Sequence, residues 1–225
     1  AFMPFAITRD DIPLYSVDAG IILKDNIGYI KINRFAATTY DEMMEKVSLL
    51  QKEGMEKLIL DIRGNPGGYL HIANQMCDEF LKDGELIVFT KGRKRSREET
   101  FASKKGQLEN TQVITLIDEG SASASEIVSG ALQDNDRGMI IGRRSFGKGL
   151  VQEQIPLNDG SGIRLTTQRY YTPSGRCIQK DYGENEQDYY SEQYTRKEAT
   201  EFPDSLKFTT KQGRTVYGSG GITPD

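Results

Sequence analysis

The 225-residue chain has little of the residue types that build metal sites and disulfide scaffolds. It contains no Trp, one His (His71) and two Cys, Cys77 and Cys177. A structural zinc site needs about four N or S ligands at close spacing, so these scattered side chains exclude a Cys/His cage. Cys77 falls on the apolar side of a predicted helix, where we expect a buried free thiol. The sequence therefore predicts no metal and no other cofactor.

Long apolar runs and an excess of positive charge are also missing. No apolar segment approaches the roughly 18 to 20 residues that span a bilayer. The net charge of −4 gives no overall basic field for nucleic acid. Residues 91–105 are rich in Lys and Arg, but they lack interleaved aromatics, and an exposed hairpin is the better prediction. Neither a membrane-spanning segment nor a nucleic-acid partner is expected.

Strand-like and helix-like patterns alternate along the first two thirds of the chain. Two β-rich runs between residues 21 and 32 predict an antiparallel pair, and a helix follows over 39–50, with Thr39 and Glu42 as a capping box. Buried strands are predicted at 58–62 and 113–117, each followed by an amphipathic helix. Continuous apolar strands alternating with such helices favour an α/β fold whose sheet is covered by helices.

The last third of the chain has a different pattern. Residues 139–141, 150–155 and 163–170 are β-like, and Gly160-Ser161-Gly162 is typical of a hairpin turn. Residues 177–212 are polar and acid-rich, and we expect them to form a partly helical surface insertion. The sequence thus predicts an added β-hairpin region after the strand-helix repeats.

Of three glycine-bearing junctions, residues 142–149 come close to a phosphate-binding P-loop. That motif requires Ser or Thr after its Lys, and a helix must follow. Here Gly149 holds that position, and residues 150–156 alternate like a strand. Nucleotide binding is therefore disfavoured.

The other two junctions admit both a structural and a catalytic interpretation. In residues 120–126, Ser123 lies between a buried strand and a helix, where it is either a nucleophile or, with Glu126, a capping box. Residues 64–68 (Gly-Asn-Pro-Gly-Gly) offer backbone N–H groups as an oxyanion hole does, although alone they are a tight turn. Taken singly, Ser123 is better explained as a helix cap.

Together, a Ser at a helix start, a Lys between glycines and a Gly-rich donor loop are the parts of a Ser/Lys hydrolase. A lysine acts as general base when burial favours its neutral form. Gly147 and Gly149 allow close packing around Lys148, and strand alternation places Lys148, Leu150 and Gln152 on one face. Gln152 is then in a position to orient the amine.

At these positions the sequence resembles the carboxy-terminal processing proteases, also called tail-specific proteases. The resemblance covers most of the chain, and the order of its motifs is specific. The matching segments are residues 28–30, 60–68, 120–126, 146–152, 171–176 and 220–225.

The resemblance implies a serine endopeptidase on a crotonase-like (Clp-protease-like) α/β core. By position in the motifs, Ser123 is the nucleophile, Lys148 the general base and Gln152 the assisting residue. Ser121 and Ser125 are then structural. No metal takes part.

The same resemblance implies an oxyanion hole from the Ala124 N–H and one N–H of either Gly67 or Gly68, between which the sequence does not choose. It also implies a PDZ domain, of which residues 1–12 resemble only the last strand. Residues 13–225 then form the catalytic domain.

The implied partners are protein or peptide substrates with apolar, flexible C-terminal tails, bound as an added β-strand. The bacterial cell envelope is the expected location, and a homo-oligomer stays open. The main alternative is a catalytically silent binding module on the same fold. The intact set Ser123, Lys148 and Gln152 argues against it.

Overall fold

The chain alternates strands and helices up to residue 142 and is mainly β beyond it. The computed structural model describes residues 3, 5, 9, 14–103, 106–182, 186–195 and 202–225. Its first ten elements are β1 (Val17–Leu23), β2 (Ile27–Ile32), α1 (Thr39–Lys52), β3 (Lys57–Asp61), α2 (Leu70–Phe80), β4 (Leu86–Lys91), β5 (Glu98–Phe101), β6 (Gln112–Ile117), α3 (Ala124–Asp134) and β7 (Met139–Gly142). They are followed by β8 (Leu150–Pro156), β9 (Gly162–Tyr171), α4 (Glu186–Thr195), β10 (Lys207–Thr209) and β11 (Thr215–Tyr217). The strand predicted within residues 1–12 lies outside the described residues, apart from positions 3, 5 and 9.

A five-stranded sheet in the order β1-β2-β3-β6-β7 forms the centre of the fold. β1 and β2 are antiparallel, as the sequence predicted, and the other neighbours are parallel. Parallel neighbours need crossover connections, which α1, α2 and α3 supply. The α/β prediction is confirmed. Within the described residues, no helix is long and apolar enough to cross a membrane.

The helices pack on this sheet through the apolar faces that their periodicity predicts. Met43, Val47 and Leu50 of α1 are buried, and Cys77 of α2 is a buried free thiol as expected. Every residue of α3 is buried. The helix that begins at Ser123 is therefore held on all sides, which fixes its N-terminus in space.

The start of α1 differs from the predicted capping box. Thr38, not Thr39, is the N-cap residue, and the buried hydroxyl of Thr39 accepts a hydrogen bond from the Ala36 N–H (2.8 Å). Glu42 instead accepts hydrogen bonds from the N–H groups of Ser16 (2.7 Å) and Val17 (3.0 Å). Glu42 thus joins α1 to the start of β1, in addition to the local hydrogen bond that it accepts from the Thr38 hydroxyl (2.6 Å).

A second sheet has the antiparallel order β5-β4-β9-β8. β4 and β5 form the exposed hairpin expected in residues 91–105, of which 104 and 105 are not described. β8 and β9 pair along their whole length across the turn at residues 157–161. β8 is an edge strand, so one side of its backbone is open to a partner.

The described part of the polar segment 177–212 lies only partly on the surface. Ile178, Gln179 and Lys180 are buried, and their segment packs behind the loop that leads into β8. The Lys180 ammonium lies 4.0 Å from the ring centroid of Phe146 and 4.5 Å from that of Tyr189. Cation–π contacts of this kind let a polar sequence pack inside a fold, which composition does not reveal.

A buried ion pair, Arg176–Asp134, ties the residue directly before this segment to the end of α3. Both side chains are fully buried, and Arg176 Nη2 lies 2.7 Å from Asp134 Oδ1. We expect Asp134→Ala to lower the free energy of unfolding by about 3–5 kcal/mol, because it leaves a buried charge unpaired. Urea unfolding measures this loss. The exposed pair Arg97–Glu99 is the control, and Glu99→Ala should cost less than about 1 kcal/mol. Equal losses would contradict the prediction.

Candidate active site

One cavity of about 630 Å³ contains all the residues that the sequence assigned to the site. It lies where α2, α3 and β8 begin, so three elements place their first residues around it. The lining includes Gly67, Gly68, Ser123, Ala124, Lys148 and Gln152. Residues up to 85 positions apart in the sequence thus meet at one point.

Ser123 occupies the N-cap position of α3 in an unusual conformation. Its φ is 53° and its ψ is −112°, whereas an ordinary N-cap residue is extended. A non-glycine residue with positive φ is strained and persists only where the surroundings enforce it, which is typical of nucleophile turns. The strained backbone of Ser123 is thus not explained by its role as a helix cap alone.

Lys148 lies in the loop between β7 and β8, with its side chain half-buried. Full burial, which the sequence argument required, is not observed. Among the described residues, its ammonium makes no hydrogen bond or ion pair, and so none joins it to Ser123 or Gln152. Active-site hydrogen bonds are often long before substrate binds. Lys148, Leu150 and Gln152 do line the cavity together, although β8 has a bulge between Val151 and Gln152.

The glycine loop before α2 distinguishes the two candidate oxyanion donors. The Gly67 N–H donates to Asn65 Oδ1 (2.9 Å) and is therefore occupied. In the described part of the chain, the N–H groups of Gly68 and Ala124 have no acceptor. Ala124 is the first residue of α3, where the N–H has no partner within the helix. Two open donors thus border the cavity beside Ser123.

Gly67 itself packs closely against the turn at Ser123. A Cβ at this position would lie 2.6 Å from the Ala122 carbonyl oxygen, 2.8 Å from the Ala124 N and 2.8 Å from Ser123 Cβ. Only glycine fits there, and the φ of +96° at this position also favours glycine.

We expect Gly67→Ala to destabilise the fold by more than about 2 kcal/mol, because backbone and not a flexible side chain would have to move. Gly64→Ala is the matched control: Gly64 also has positive φ (+68°), but nothing lies within 4 Å of its Cβ position. It should cost about 1–2 kcal/mol from φ alone. Thermal unfolding of both variants measures the difference, and equal losses would refute the close approach.

Glu126 holds the Ser123 and Lys148 segments together from inside the core. Its fully buried carboxylate accepts hydrogen bonds from the N–H groups of Ser123 (2.8 Å), Gly147 (2.7 Å) and Lys148 (2.8 Å), and from the Ser145 hydroxyl (2.5 Å). Burial raises the pKa of Glu126, and these hydrogen bonds offset part of that rise. The residue predicted as a capping partner therefore also fixes the loop that carries Lys148.

Tyr170 holds the same two residues through their carbonyl groups. Its buried hydroxyl shares its one proton between the carbonyl oxygens of Ser123 (3.0 Å) and Lys148. Burial raises the pKa of Tyr170 well above its usual value, so the phenol stays protonated and keeps donating. The backbones of Ser123 and Lys148 are thus each fixed at the N–H by Glu126 and at the C=O by Tyr170.

Residues 220–222 support the Lys148 loop from behind. The Ile222 N–H donates to the Ser145 hydroxyl (2.6 Å), which in turn donates to Glu126, and the Ser145 N–H donates to the Ile222 carbonyl (3.0 Å). A Cβ at Gly147 would lie 3.0 Å from the backbone of Gly220 and Gly221. The Lys148 loop is therefore packed on a segment far along the chain.

Asp61, at the end of β3, anchors the start of the glycine loop. Its buried carboxylate accepts hydrogen bonds from the Tyr29 hydroxyl (2.7 Å), the Arg63 guanidinium (2.6 Å) and the Arg63 N–H (2.9 Å). Burial acts to raise the pKa of Asp61, but these hydrogen bonds and nearby Lys31 outweigh it and hold the pKa well below its usual value.

Because the pKa of Asp61 is lowered in the folded protein, the stability that Asp61 contributes depends on pH. Asp61 stabilises the fold fully above its unfolded pKa of about 4 and loses that contribution as the pH falls through the folded value. We expect Asp61→Asn to be less stable at pH 7 by about 2 kcal/mol, with the gap narrowing towards pH 3. Urea unfolding at both pH values tests this, with the exposed Asp181→Asn as control. A gap that stays constant would contradict it.

Two other features of the sequence do not have the functions that their patterns resemble. His71 is exposed and is not among the residues that line the cavity. Residues 142–149 run into β8, not into a helix, so the context that a P-loop needs is absent from this segment.

The sequence did not indicate Tyr170, Ser145 or Asp61 as parts of the site. Tyr170 and Ser145 act through hydrogen bonds with backbone groups 22 to 77 positions away, and Asp61 acts through the glycine loop itself. The Asp-x-Arg spacing at 61–63 is the one local signal that could have been used, because a carboxylate two residues before Arg can accept its N–H.

Comparisons with known proteins agree on one family. The sequence profile of peptidase family S41 matches residues 26–190. A carboxy-terminal processing protease of Bartonella bacilliformis is 44% identical over 178 residues, which cover 77% of this chain and 40% of that protein. One from Bacillus subtilis is 39% identical over 183 residues, 79% of this chain and 37% of that protein.

Among solved structures, a photosystem II D1 C-terminal processing protease superposes with a TM-score of 0.66 at 31% identity, covering 76% of this chain and 47% of that one. The chain spans about two fifths of the length of the curated relatives that it matches.

Proposed function

The chain belongs to peptidase family S41, and from this premise we propose that it is the catalytic part of a serine endopeptidase that cleaves near the C-terminal tails of proteins. One observation carries the proposal: Ser123, Lys148 and the open N–H groups of Gly68 and Ala124 line a single cavity. A helix cap explains the position of Ser123. It does not explain why Lys148 and two open N–H groups line the same cavity.

In the proposed reaction the Ser123 hydroxyl attacks the scissile carbonyl while the Lys148 amine takes its proton. Lys148 then returns the proton to the leaving amine, and an acyl-enzyme forms on Ser123. Water, deprotonated by the same lysine, releases the acyl group. Gln152, at the start of β8, orients the lysine amine once substrate closes the cavity.

The oxyanion that forms on the carbonyl is stabilised by the N–H groups of Ala124 and Gly68. The choice of Gly68 over Gly67 follows from the hydrogen bond that already occupies the Gly67 N–H. Preorganised donors of this kind are worth about 3–4 kcal/mol each in the transition state. The buried helix α3 keeps the Ala124 donor rigid.

The substrate adds as a strand to the open edge of β8. Leu150, Val151 and Gln152 of this strand line the cavity, and among the described residues its backbone faces no further strand on that side. Leu70 and Ile127 give the cavity an apolar wall, which suits an apolar side chain next to the scissile bond.

Three wider features belong to the same proposal. The core is crotonase-like, a PDZ domain precedes residue 13 in the full protein, and the full protein resides at the bacterial cell envelope. The family resemblance supports each of them. Fractionation of cells that produce the full-length protein tests the location.

Active-site labelling combined with product analysis tests the function. We expect a fluorophosphonate probe to modify the protein on Ser123, identified by peptide mass mapping. Unstructured polypeptides with apolar C-terminal ends should yield short C-terminal products, with and without a chelator, because no metal step is proposed. A form that includes the preceding residues is assayed alongside.

The outcomes separate the two function classes. Labelling and cleavage together support the protease. Binding of the polypeptides without label or products, in both forms, would favour the silent binding module. Activity confined to the longer form would make the preceding domain an activator.

A further inference from the structure

A second cavity, of about 740 Å³, adjoins the cavity of Ser123, and aromatic rings form much of its wall. We call it the aromatic cavity. Its four rings are those of Phe146, in the loop before β8, of Tyr182, and of Tyr189 and Tyr190 on α4. The residues that line both cavities are Pro66, Lys148, Leu150, Gln152 and Arg164. A polypeptide that occupies the cavity of Ser123 can therefore continue into the aromatic cavity.

The four rings form one cluster. Tyr182 stacks on Tyr189 with ring centroids 5.0 Å apart, and Phe146 meets Tyr189 edge-on at 5.7 Å. The Tyr190 ring lies 5.3 Å from that of Tyr189 and 6.3 Å from that of Phe146. Tyr189 is buried, whereas Tyr182 and Tyr190 are 56% and 55% exposed. Packing inside the fold thus explains Tyr189 but leaves two large rings exposed at the wall of the cavity.

Contacts with the loop that carries Lys148 hold α4 in place. The buried ammonium of Lys180 donates a hydrogen bond to the Tyr189 carbonyl oxygen (2.6 Å) and lies 3.3 Å from the Glu192 carboxylate. The Lys180 N–H donates to the carbonyl oxygen of Gly147 (3.0 Å). A wall that is fixed before the ligand arrives loses little conformational entropy on binding, which favours affinity.

The charged residues of the aromatic cavity favour an aromatic ring over a cationic side chain. Asp118 accepts a hydrogen bond from the Gly64 N–H (2.7 Å), and Glu119 pairs with Arg143 at 2.7 Å. Both carboxylates thus have partners within the protein. Arg164 is exposed, and its guanidinium repels a cation but attracts the face of an aromatic ring.

The position of Lys148 indicates which part of a substrate enters the aromatic cavity. Lys148 lines both cavities, whereas the proposed oxyanion donors Gly68 and Ala124 line the cavity of Ser123 but not the aromatic one. In the proposed reaction the lysine returns its proton to the leaving amine, so the chain after the scissile bond lies on the side of the lysine. The residues that follow the scissile bond therefore enter the aromatic cavity.

We propose that the aromatic cavity binds an aromatic side chain of the polypeptide substrate, carried by the first or second residue after the scissile bond. Successive side chains of an extended peptide point to opposite faces, so one of these two residues faces the rings. The exposed rings of Tyr182 and Tyr190 contact the substrate ring. This inference rests on the proposed protease function and specifies which substrates that site selects.

Binding of matched peptides to Ser123→Ala protein tests the inference without cleavage. The probes are fluorescent, unstructured peptides that differ only at one central residue, which is Phe, cyclohexylalanine or Lys. Cyclohexylalanine is apolar and close to Phe in size, but its ring is not aromatic. We expect the Phe peptide to bind about fivefold more tightly than the cyclohexylalanine peptide, because contacts between aromatic rings contribute beyond the burial of apolar area. The Lys peptide should bind most weakly.

Substitutions at the cavity locate the effect. Tyr182→Leu and Tyr190→Leu together remove both exposed rings but keep apolar side chains, and they should reduce the preference for Phe to less than about twofold. Tyr15→Leu removes an exposed ring outside both cavities and should leave the preference intact. Because Tyr182 and Tyr190 are more than half exposed, the double variant should stay folded, which its melting temperature checks.

Cleavage by the unsubstituted protein locates the substrate ring relative to the scissile bond. In a set of peptides, a single Phe is placed at successive positions of an otherwise constant sequence. Mass spectrometry should show that the cleaved bond moves with the Phe, which is then the first or second residue of the C-terminal product.

Four results would overturn the inference. They are equal affinities of the Phe and cyclohexylalanine peptides, tightest binding of the Lys peptide, a preference for Phe that survives the double substitution, and cleavage at bonds that do not move with the Phe. Failure of the protease function is distinguishable from these. A ring-dependent preference of Ser123→Ala protein without cleavage by unsubstituted protein would keep the aromatic cavity as a binding site and exclude the protease, and cleavage without the preference would do the reverse.

Discussion

Replacing Lys148 by alanine is expected to lower the rate of peptide cleavage by about 10⁴-fold, which is the scale of losing a general base on which the nucleophile depends. Lys148 and Ser123 line the same cavity. His71, the one histidine of the chain, lies outside that cavity and cannot take over the proton. Fluorophosphonate labelling of Ser123 should disappear together with cleavage.

The fold should survive this change. In the described structure the Lys148 side chain makes no hydrogen bond, and its contacts to Glu126 and Tyr170 use backbone groups that alanine retains. The melting temperature should therefore move by less than about 2 °C, as for substitutions away from specific interactions.

Lys148→Arg is the matched control for charge. Arginine keeps the positive charge but stays protonated, so it cannot accept the serine proton. Both variants should be inactive. An active arginine variant would show that the position needs only a cation, and it would refute the role of Lys148 as general base.

Glu126→Gln is expected to lower kcat by about 100-fold with little change in KM, because displacing catalytic groups by about 1 Å has an effect of this size. An amide supplies one acceptor oxygen in place of two. The N–H groups of Ser123 and Lys148, which now share Oε2, would lose their acceptor, or the Gly147 N–H and the Ser145 hydroxyl, which share Oε1, would lose theirs. Either loss releases the catalytic loop.

Comparison variants separate positioning from stability. Tyr170→Phe removes the hydrogen bonds on the carbonyl side and should lower kcat in the same direction. Ser129→Ala removes a buried hydrogen bond within the same helix, to the Ser125 carbonyl (2.9 Å), and should reduce stability by about 1 kcal/mol without lowering kcat. If Glu126→Gln reduced stability but left kcat unchanged, its positioning role would be wrong.

The sequence predicted what depends on local pattern. The alternation of strands and helices, the buried thiol of Cys77 and the placement of Ser123 at the start of α3 follow from periodicity and capping signals. Which glycine N–H stays open did not follow from the sequence. That depends on the Asn65 side chain folding back two residues, a choice among rotamers that the sequence leaves free.

The contacts that the sequence did not predict are those that join distant segments of the chain. Tyr170 reaches Ser123 across 47 positions, and Ile222 reaches Ser145 across 77. The pairing of β4 with β9 brings Lys91 opposite Arg169. Hydrophobic periodicity carries no information on such pairings, because it reports which face is buried and not what lies against it.

The packing of residues 220–222 behind the Lys148 loop has a consequence during synthesis. A ribosome at roughly 5–20 residues per second needs about 4 to 15 s to pass from Ser145 to Ile222. During that interval Ser123 and Lys148 both exist in the nascent chain, but the hydrogen bond from the Ile222 N–H to Ser145 has yet to form. The loop that carries Lys148 therefore gains this support only after residues 220–222 have been translated.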